Sequence, residues 1–166
     1  MLIAIISDIH DNLANLGKCL TWCRQERIEK VFCLGDITTE ETINYLAENF
    51  SGEIFLVSGN CEIYQEADLL KYKNINFGGE ISLISLEDLN IGLTHRPQEL
   101  KKILAISSKK LNFIFHGHTH TPSLKNQDGT IIANPGNLAG VFHQATFATL
   151  ETKTKKLELK ILHYLL

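Results

Sequence analysis

The 166-residue sequence lacks a surplus of basic charge, with 16 Lys and Arg against 19 Asp and Glu and a net charge of -3. Binding a long run of nucleic-acid phosphates needs such a surplus, so stable nucleic-acid binding is excluded as the main task. It lacks any Cys-x-x-Cys pair. Its four cysteines, Cys19, Cys23, Cys33 and Cys61, are scattered, and a chain this long and apolar needs no disulfide staple. They read as reduced thiols in a cytoplasm. It lacks a long hydrophobic run. The opening apolar stretch ends at Ser7-Asp8 with no basic segment before it, and nothing approaches the ~20 residues of a membrane helix. A soluble, cytoplasmic protein without membrane association is expected. No repeat, low-complexity tract or linker divides the chain, so one domain over residues 1–166 is expected. The content of 44% hydrophobic and 21% charged residues is that of a globular protein, not of a disordered tail or a rod.

Short apolar runs alternate with helical patterns in the first half. Leu2 to Ile6, Val31 to Leu34 and Ile54 to Val57 read as buried strands. Between them, a helix capped by Asp11 or Asn12 runs through Leu13, Leu16, Leu20 and Cys23 to about Ile28. A second, capped by Thr38 or Thr39, runs through Ile43, Leu46 and Ala47. Strand, helix, strand, helix, strand with short links implies parallel strands. The second half is richer in strands: Asn74 to Phe77, Glu80 to Leu86, Leu89 to Thr94 and Phe113 to Phe115. Hairpins follow around Gln127-Asp128-Gly129 and Thr152 to Lys156, and a helix is expected from Pro97 to Ile106. The fold class is α/β, with two sheets packed together and helices outside.

The polar residues cluster at strand ends, which is where sites form in open α/β sheets. Successive strands deliver Asp8-Ile9-His10, Gly35-Asp36, Gly59-Asn60-Cys61-Glu62, Thr94-His95 and Gly117-His118-Thr119-His120. Two Asp, one Asn and four His thus converge on one rim. Oxygen and imidazole donors suit borderline divalent ions such as Mn, Fe, Zn, Ni or Co. Seven donors exceed one tetrahedral site and suit two ions sharing a carboxylate. Asp36, alone on its strand end between the two groups, is the natural bridge.

The order Asp-x-His, Gly-Asp, Gly-Asn-Cys-Glu, His and Gly-His-Thr-His resembles the calcineurin-like metallophosphoesterases. The likeness is to their short, single-domain microbial phosphodiesterase branch, and also to the small retromer subunit. It runs from Asp8 to Asn134-Pro135-Gly136. The resemblance implies a two-sheet β-sandwich flanked by helices in four α-β-β-α layers. It implies one ion on Asp8, His10, Asp36 and His120, a second on Asp36, Asn60, His95 and His118, and a bridging hydroxide that attacks a phosphodiester. Manganese comes first among the metals, and Asn60, Cys61, His95 and Arg96 are the further catalytic candidates. The substrate is then a small-molecule phosphoester, and self-association into a homo-oligomer is compatible with it. Alternatives in the same fold are a non-catalytic interaction scaffold like the retromer subunit, and a nucleotide phosphomonoesterase or pyrophosphate-cleaving enzyme.

Three positions depart from the family pattern. Cys61 stands where many larger members carry a His that protonates the leaving group. Arg96 stands where the short branch often has Gly; its guanidinium can hold a phosphate oxygen or stand as a solvated surface residue. Asn137 stands where Ser is common. Other polar or sulfur residues have plainer readings. Cys19, Cys23 and Cys33 are core thiols, Trp22 packs the first helix on the sheet, and His116 lies in the core or supports the site. His143 is a loop residue near the pocket, His163 lies on the surface, and Lys153, Lys155 and Lys156 form a solvated turn.

Overall fold

Alternation along the strands sorts side chains onto two faces, and this sorting builds the architecture. The computed structural model describes residues 1–165. In β1 (Leu2–Ile6), Ala4 and Ile6 join one hydrophobic cluster while Ile3 and Ile5 join another. In β2 (Lys30–Cys33), Val31 and Cys33 part from Phe32 in the same way. These strands are buried on both faces and therefore read as continuous apolar runs.

With β3 (Glu53–Leu56) and β4 (Ile75–Phe77), β1 and β2 form the parallel part of one sheet. The hairpin of β10 (Thr146–Glu151) and β11 (Lys156–Ile161) adds antiparallel to β1, giving the order β11-β10-β1-β2-β3-β4. The second sheet contains β5 (Ile81–Leu86), β6 (Leu89–Thr94), β7 (Phe113–Phe115), β8 (Ser123–Gln127) and β9 (Thr130–Asn134). Its order is β5-β6-β7-β9-β8, with β6, β7 and β9 parallel and the edge strands antiparallel. Both sheets are mixed.

Three apolar clusters fill the gaps between four layers. Helices α1 (Leu13–Gln25) and α2 (Glu40–Asn49) cover the outer face of the six-stranded sheet. Trp22 anchors α1 there, edge-on to Phe147 with ring centroids 5.1 Å apart. Phe32, Phe113 and Phe115 lie between the sheets. Ile103 of α4 (Leu100–Ile106) covers Ile114 and Ile132 on the far side. This is the α-β-β-α sandwich expected from the sequence.

Several boundaries differ. Helix α1 ends at Gln25, before Ile28, because Arg27 turns into the left-handed region at φ 56°. Ile28 N–H then donates to Cys23 O at 2.8 Å and Arg27 N–H to Arg24 O at 3.2 Å, the Schellman closure. The segment from Pro97 splits into a 3-10 turn, Pro97–Glu99, followed by α4. A one-turn helix, α3 (Glu66–Leu69), has no apolar period to reveal it and is held by a Gln65–Asp68 capping box. Among the described residues, no helix is long and apolar enough to cross a membrane.

Candidate metal centre

All the expected donors leave strand ends at one rim. Asp8 and His10 follow β1, Asp36 follows β2, Asn60 and Cys61 follow β3, His95 follows β6, and His118 and His120 follow β7. Backbone bonds stitch these loops together. Ile9 and His10 N–H both donate to Asp36 O at 2.9 Å, and Gly117 N–H donates to His95 O at 3.0 Å. Donor atoms of Asp8, His10, Asp36 and His120 lie within 4.8 Å of one another, as do those of Asp36, His95 and His118. Asp36 belongs to both groups.

The backbone is strained where these side chains start. Asp8, His10, Asp36, His118 and His120 all have positive φ, between 44° and 69°. Each such residue costs on the order of 1–3 kcal/mol, and such strain collects at functional sites. Two glycines let the loops close. A Cβ at Gly59 would collide with Asp36, and one at Gly117 would collide with Ser7 Oγ and Asp8 Oδ2. The Gly in Gly-Asn and in Gly-His is therefore a requirement of close approach.

Asp36 is nearly fully buried. Its Oδ1 accepts N–H from Asn60 at 2.7 Å and Cys61 at 2.9 Å. Its Oδ2 lies 3.3 Å from His95 Nε2 and 3.6 Å from His10 Nε2, between the two groups. Burial pushes this carboxyl up, but the His95 hydrogen bond and charge, with the two N–H donors, hold it well below the usual range. His95 answers in kind. Burial pushes its imidazole down, and Asp36 and Asp8 more than offset this and raise it.

The donor set fits divalent cations on two observations. His95 Nδ1 lies 2.7 Å from Leu34 O, so its N–H is spent on that carbonyl. Its Nε2 then faces Asp36 Oδ2 and, at 3.1 Å, Asn60 Oδ1, three acceptors that only a proton or a metal ion reconciles. On the other side, Asp8 Oδ1 is fully buried without a hydrogen-bond donor, 3.2 Å from His120 Nε2. An orphaned carboxylate oxygen is costly unless a cation takes it. Its other oxygen accepts His118 N–H at 3.1 Å.

The remaining candidates lie at the edge. Cys61 is exposed, and its Sγ accepts the Asn60 amide at 3.1 Å. Partial desolvation, with the Asp36 charge, pushes its thiol up. Arg96 is exposed at a narrow cleft of about 30 Å³ that it lines with Ser58, Gly59, Thr94, His95 and two carboxylates, Glu80 and Glu99. His116 is buried with Nδ1 3.1 Å from Gly117 O, and burial pushes it down. His143 and His163 are exposed.

Three residues already visible in the sequence take roles at the site that their motifs do not reveal. Asn137 is fully buried; its amide donates to His120 O at 3.1 Å and its Oδ1 accepts Val141 N–H at 2.9 Å. Asn134 donates to Gly117 O and Thr119 Oγ1, both at 2.9 Å, and so holds the Gly-His-Thr-His turn. Asp11, expected at the start of α1, serves α2 instead. Its Oδ1 accepts Thr39 N–H at 3.1 Å and the Thr39 and Thr42 hydroxyls at 2.6 Å, while Asn12 caps α1 through Asn15 N–H. Burial pushes Asp11 up and the Thr39 and Thr42 bonds outweigh it, leaving the carboxyl lowered.

A family model described as the calcineurin-like phosphoesterase superfamily domain matches residues 1–155. The chain is 27% identical to Phosphodiesterase MJ0936 of Methanocaldococcus jannaschii, over 94% of this chain and 96% of that one. It is 27% identical to Vacuolar protein sorting-associated protein 29 of Schizosaccharomyces pombe, over 84% and 73%. Among solved structures, a novel archaeal phosphodiesterase superposes with a TM-score of 0.86 at 24% identity, covering 97% of this chain and 99% of that one. Vps29 of Entamoeba histolytica complexed with zinc superposes with a TM-score of 0.70 at 24% identity, covering 96% and 90%.

Proposed function

Because the chain belongs to the calcineurin-like phosphoesterase superfamily, we propose that it is a dinuclear metal-dependent phosphodiesterase. The observation that carries this reading is Asp36, whose Oδ2 lies between His10 and His95 and which both donor groups share. Asp8, His10, Asp36 and His120 would hold one ion, and Asp36, Asn60, His95 and His118 the other, with manganese as the first metal to try. Two such ions supply a water of lowered pKa and a clamp on the attacking and leaving oxygens of an in-line displacement.

The chain's own residues do the rest. The Asn60 and Cys61 N–H groups fix Asp36 Oδ1, leaving Oδ2 free to face both half-sites. Leu34 O sets the His95 tautomer, so that Nε2 is the donor atom. Arg96, at the cleft that opens beside His95, offers a guanidinium to a non-bridging phosphate oxygen. The substrate is a small-molecule phosphoester, met in a cytoplasm.

A non-catalytic scaffold is the competing reading, because one relative is named as a vacuolar sorting protein. Metal binding alone does not separate the two, since a Vps29 structure holds zinc. Turnover does. Mn-loaded protein should hydrolyse an aryl phosphodiester faster than the corresponding monoester and faster than a nucleotide pyrophosphate. Absence of turnover across that panel, with two ions bound per chain, would establish the scaffold; preference for the monoester or the pyrophosphate would reassign the substrate class.

A further inference from the structure

The segment after Asp36 offers three consecutive backbone N–H groups, those of Ile37, Thr38 and Thr39, and two carboxylates take all three. Glu62 accepts Thr38 N–H through Oε2 at 2.8 Å and Ile37 N–H through Oε1 at 3.4 Å. The same Oε1 accepts Gly59 N–H at 3.0 Å. Asp11 accepts Thr39 N–H at 3.1 Å. Each carboxylate belongs to another donor-bearing loop: Asp11 directly follows His10, and Glu62 lies two residues beyond Asn60. Neither falls within the donor groups around Asp36.

We propose that Glu62 and Asp11 are positioning residues that lace the three loops together and set the separation of the two metal half-sites. This rests on the metal reading above. The lacing has a physical need. Asp36 and Thr38 sit at φ 52° and 89°, conformations that side chains resist, and the loop would relax without outside partners. A carboxylate suits the task because it only accepts: Glu62 meets main-chain donors with both oxygens, and Asp11 gathers Thr39 N–H and the Thr39 and Thr42 hydroxyls on its Oδ1 alone. A glutamine at position 62 keeps the shape but turns an N–H₂ toward one of those donors. Groups that orient metal ligands typically change metal affinity by about 10–100-fold when replaced.

The test uses the full chain, stripped by chelation and titrated with Mn(II) by calorimetry, with electron paramagnetic resonance of the loaded form. The variants are Glu62→Gln and Asp11→Ala, since an asparagine would keep the single oxygen that Asp11 uses, with Glu66→Gln on exposed α3 as control. Glu66→Gln should match the parent. Glu62→Gln and Asp11→Ala should each bind Mn(II) about 10–100-fold more weakly, and lose the spin-coupled pair signal in favour of isolated ions, with far-ultraviolet dichroism retained. A merely structural role would lower the unfolding temperature of the stripped chain and leave affinity and coupling unchanged, which would overturn the inference. If Glu62→Gln does not fold, Asp11→Ala decides alone by the same readouts. A parent that binds no Mn(II) overturns the metal reading itself. A parent that binds a coupled pair beside folded variants that do the same overturns only the lacing.

Discussion

His10 Nε2 and His120 Nε2 face each other at 3.2 Å, with their rings tilted by 47°. Asp8 Oδ1 stands 3.2 Å from the second of these nitrogens and has no donor of its own. Two imidazole nitrogens and a carboxylate oxygen converge on one point, and a cation is a partner that all three can share. Chelation should therefore remove activity and also stability. At a free metal concentration ~100 times Kd, binding to the native state adds ~2.7 kcal/mol. For a chain of this size that is roughly 5–10 °C in Tm. Thermal unfolding with and without Mn(II) checks it; equal midpoints in chelator and in saturating metal would contradict the site.

Asp36 and Asp8 should fail differently. Asp36 Oδ2 faces His10 and His95 across the two donor groups, whereas Asp8 belongs to one. Asp36→Ala is expected to disturb both ions and Asp8→Ala mainly one. Losing several kcal/mol of transition-state charge stabilisation at ~1.4 kcal/mol per tenfold lowers the rate by at least ~10²-fold for Asp36→Ala. Elemental analysis of the gel-filtered variants decides the matter. A full complement of metal on Asp36→Ala would show that this carboxylate does not bridge.

The sequence makes the donors visible for a local reason. Each stands at the end of a short apolar run, and a run of that kind with a polar stop is legible without any partner. The layers are legible for the same reason: Ile3 and Ile5 against Ala4 and Ile6 already divide one strand between two faces. What stays hidden is non-local. Asp11 looks like a cap for the helix that follows it, yet its oxygen turns to Thr39 and Thr42 across the fold. Glu62 is visible as part of Gly-Asn-Cys-Glu, but its partners at Ile37 and Thr38 depend on two loops meeting. The short α3 carries too few residues for a helical period, and the end of α1 is hidden because Arg27 occupies a position where glycine is usual.

That last feature makes a stability prediction far from the site. Arg27 closes α1 at φ 56° and is exposed. The left-handed region costs a side chain roughly 1–2 kcal/mol that glycine does not pay. Glycine also loses more freedom on folding, which returns part of the gain. Arg27→Gly should raise stability by up to ~1 kcal/mol, about 2–4 °C in Tm, with metal content and turnover unchanged. Differential scanning calorimetry measures it, and a lowered midpoint would mean that the arginine makes compensating contacts.

If the proposed reaction holds, the thiol at Cys61 is expected to limit which esters are cleaved. Attack on phosphorus leaves charge on the departing oxygen, and a positioned general acid contributes ~10²–10⁴-fold when that oxygen is a poor leaving group. The Cys61 thiol stands beside Asn60, at the position where the family resemblance leads one to expect an imidazole in many larger members. Desolvation, followed by the Asp36 charge, pushes it up, away from the range in which it could give a proton at neutral pH. Aryl leaving groups need little help and should depart well; alkyl groups should be slow. Cys61→Ala should then change aryl diester hydrolysis only modestly. Cys61→His should raise the rate selectively for poor leaving groups, because an imidazole titrating near neutrality is matched to the task. A plot of log kcat/KM against leaving-group pKa should be shallower for Cys61→His than for the parent. Parallel lines at equal metal content would mean that this position takes no part in proton transfer and that Cys61 only fills space beside Asn60.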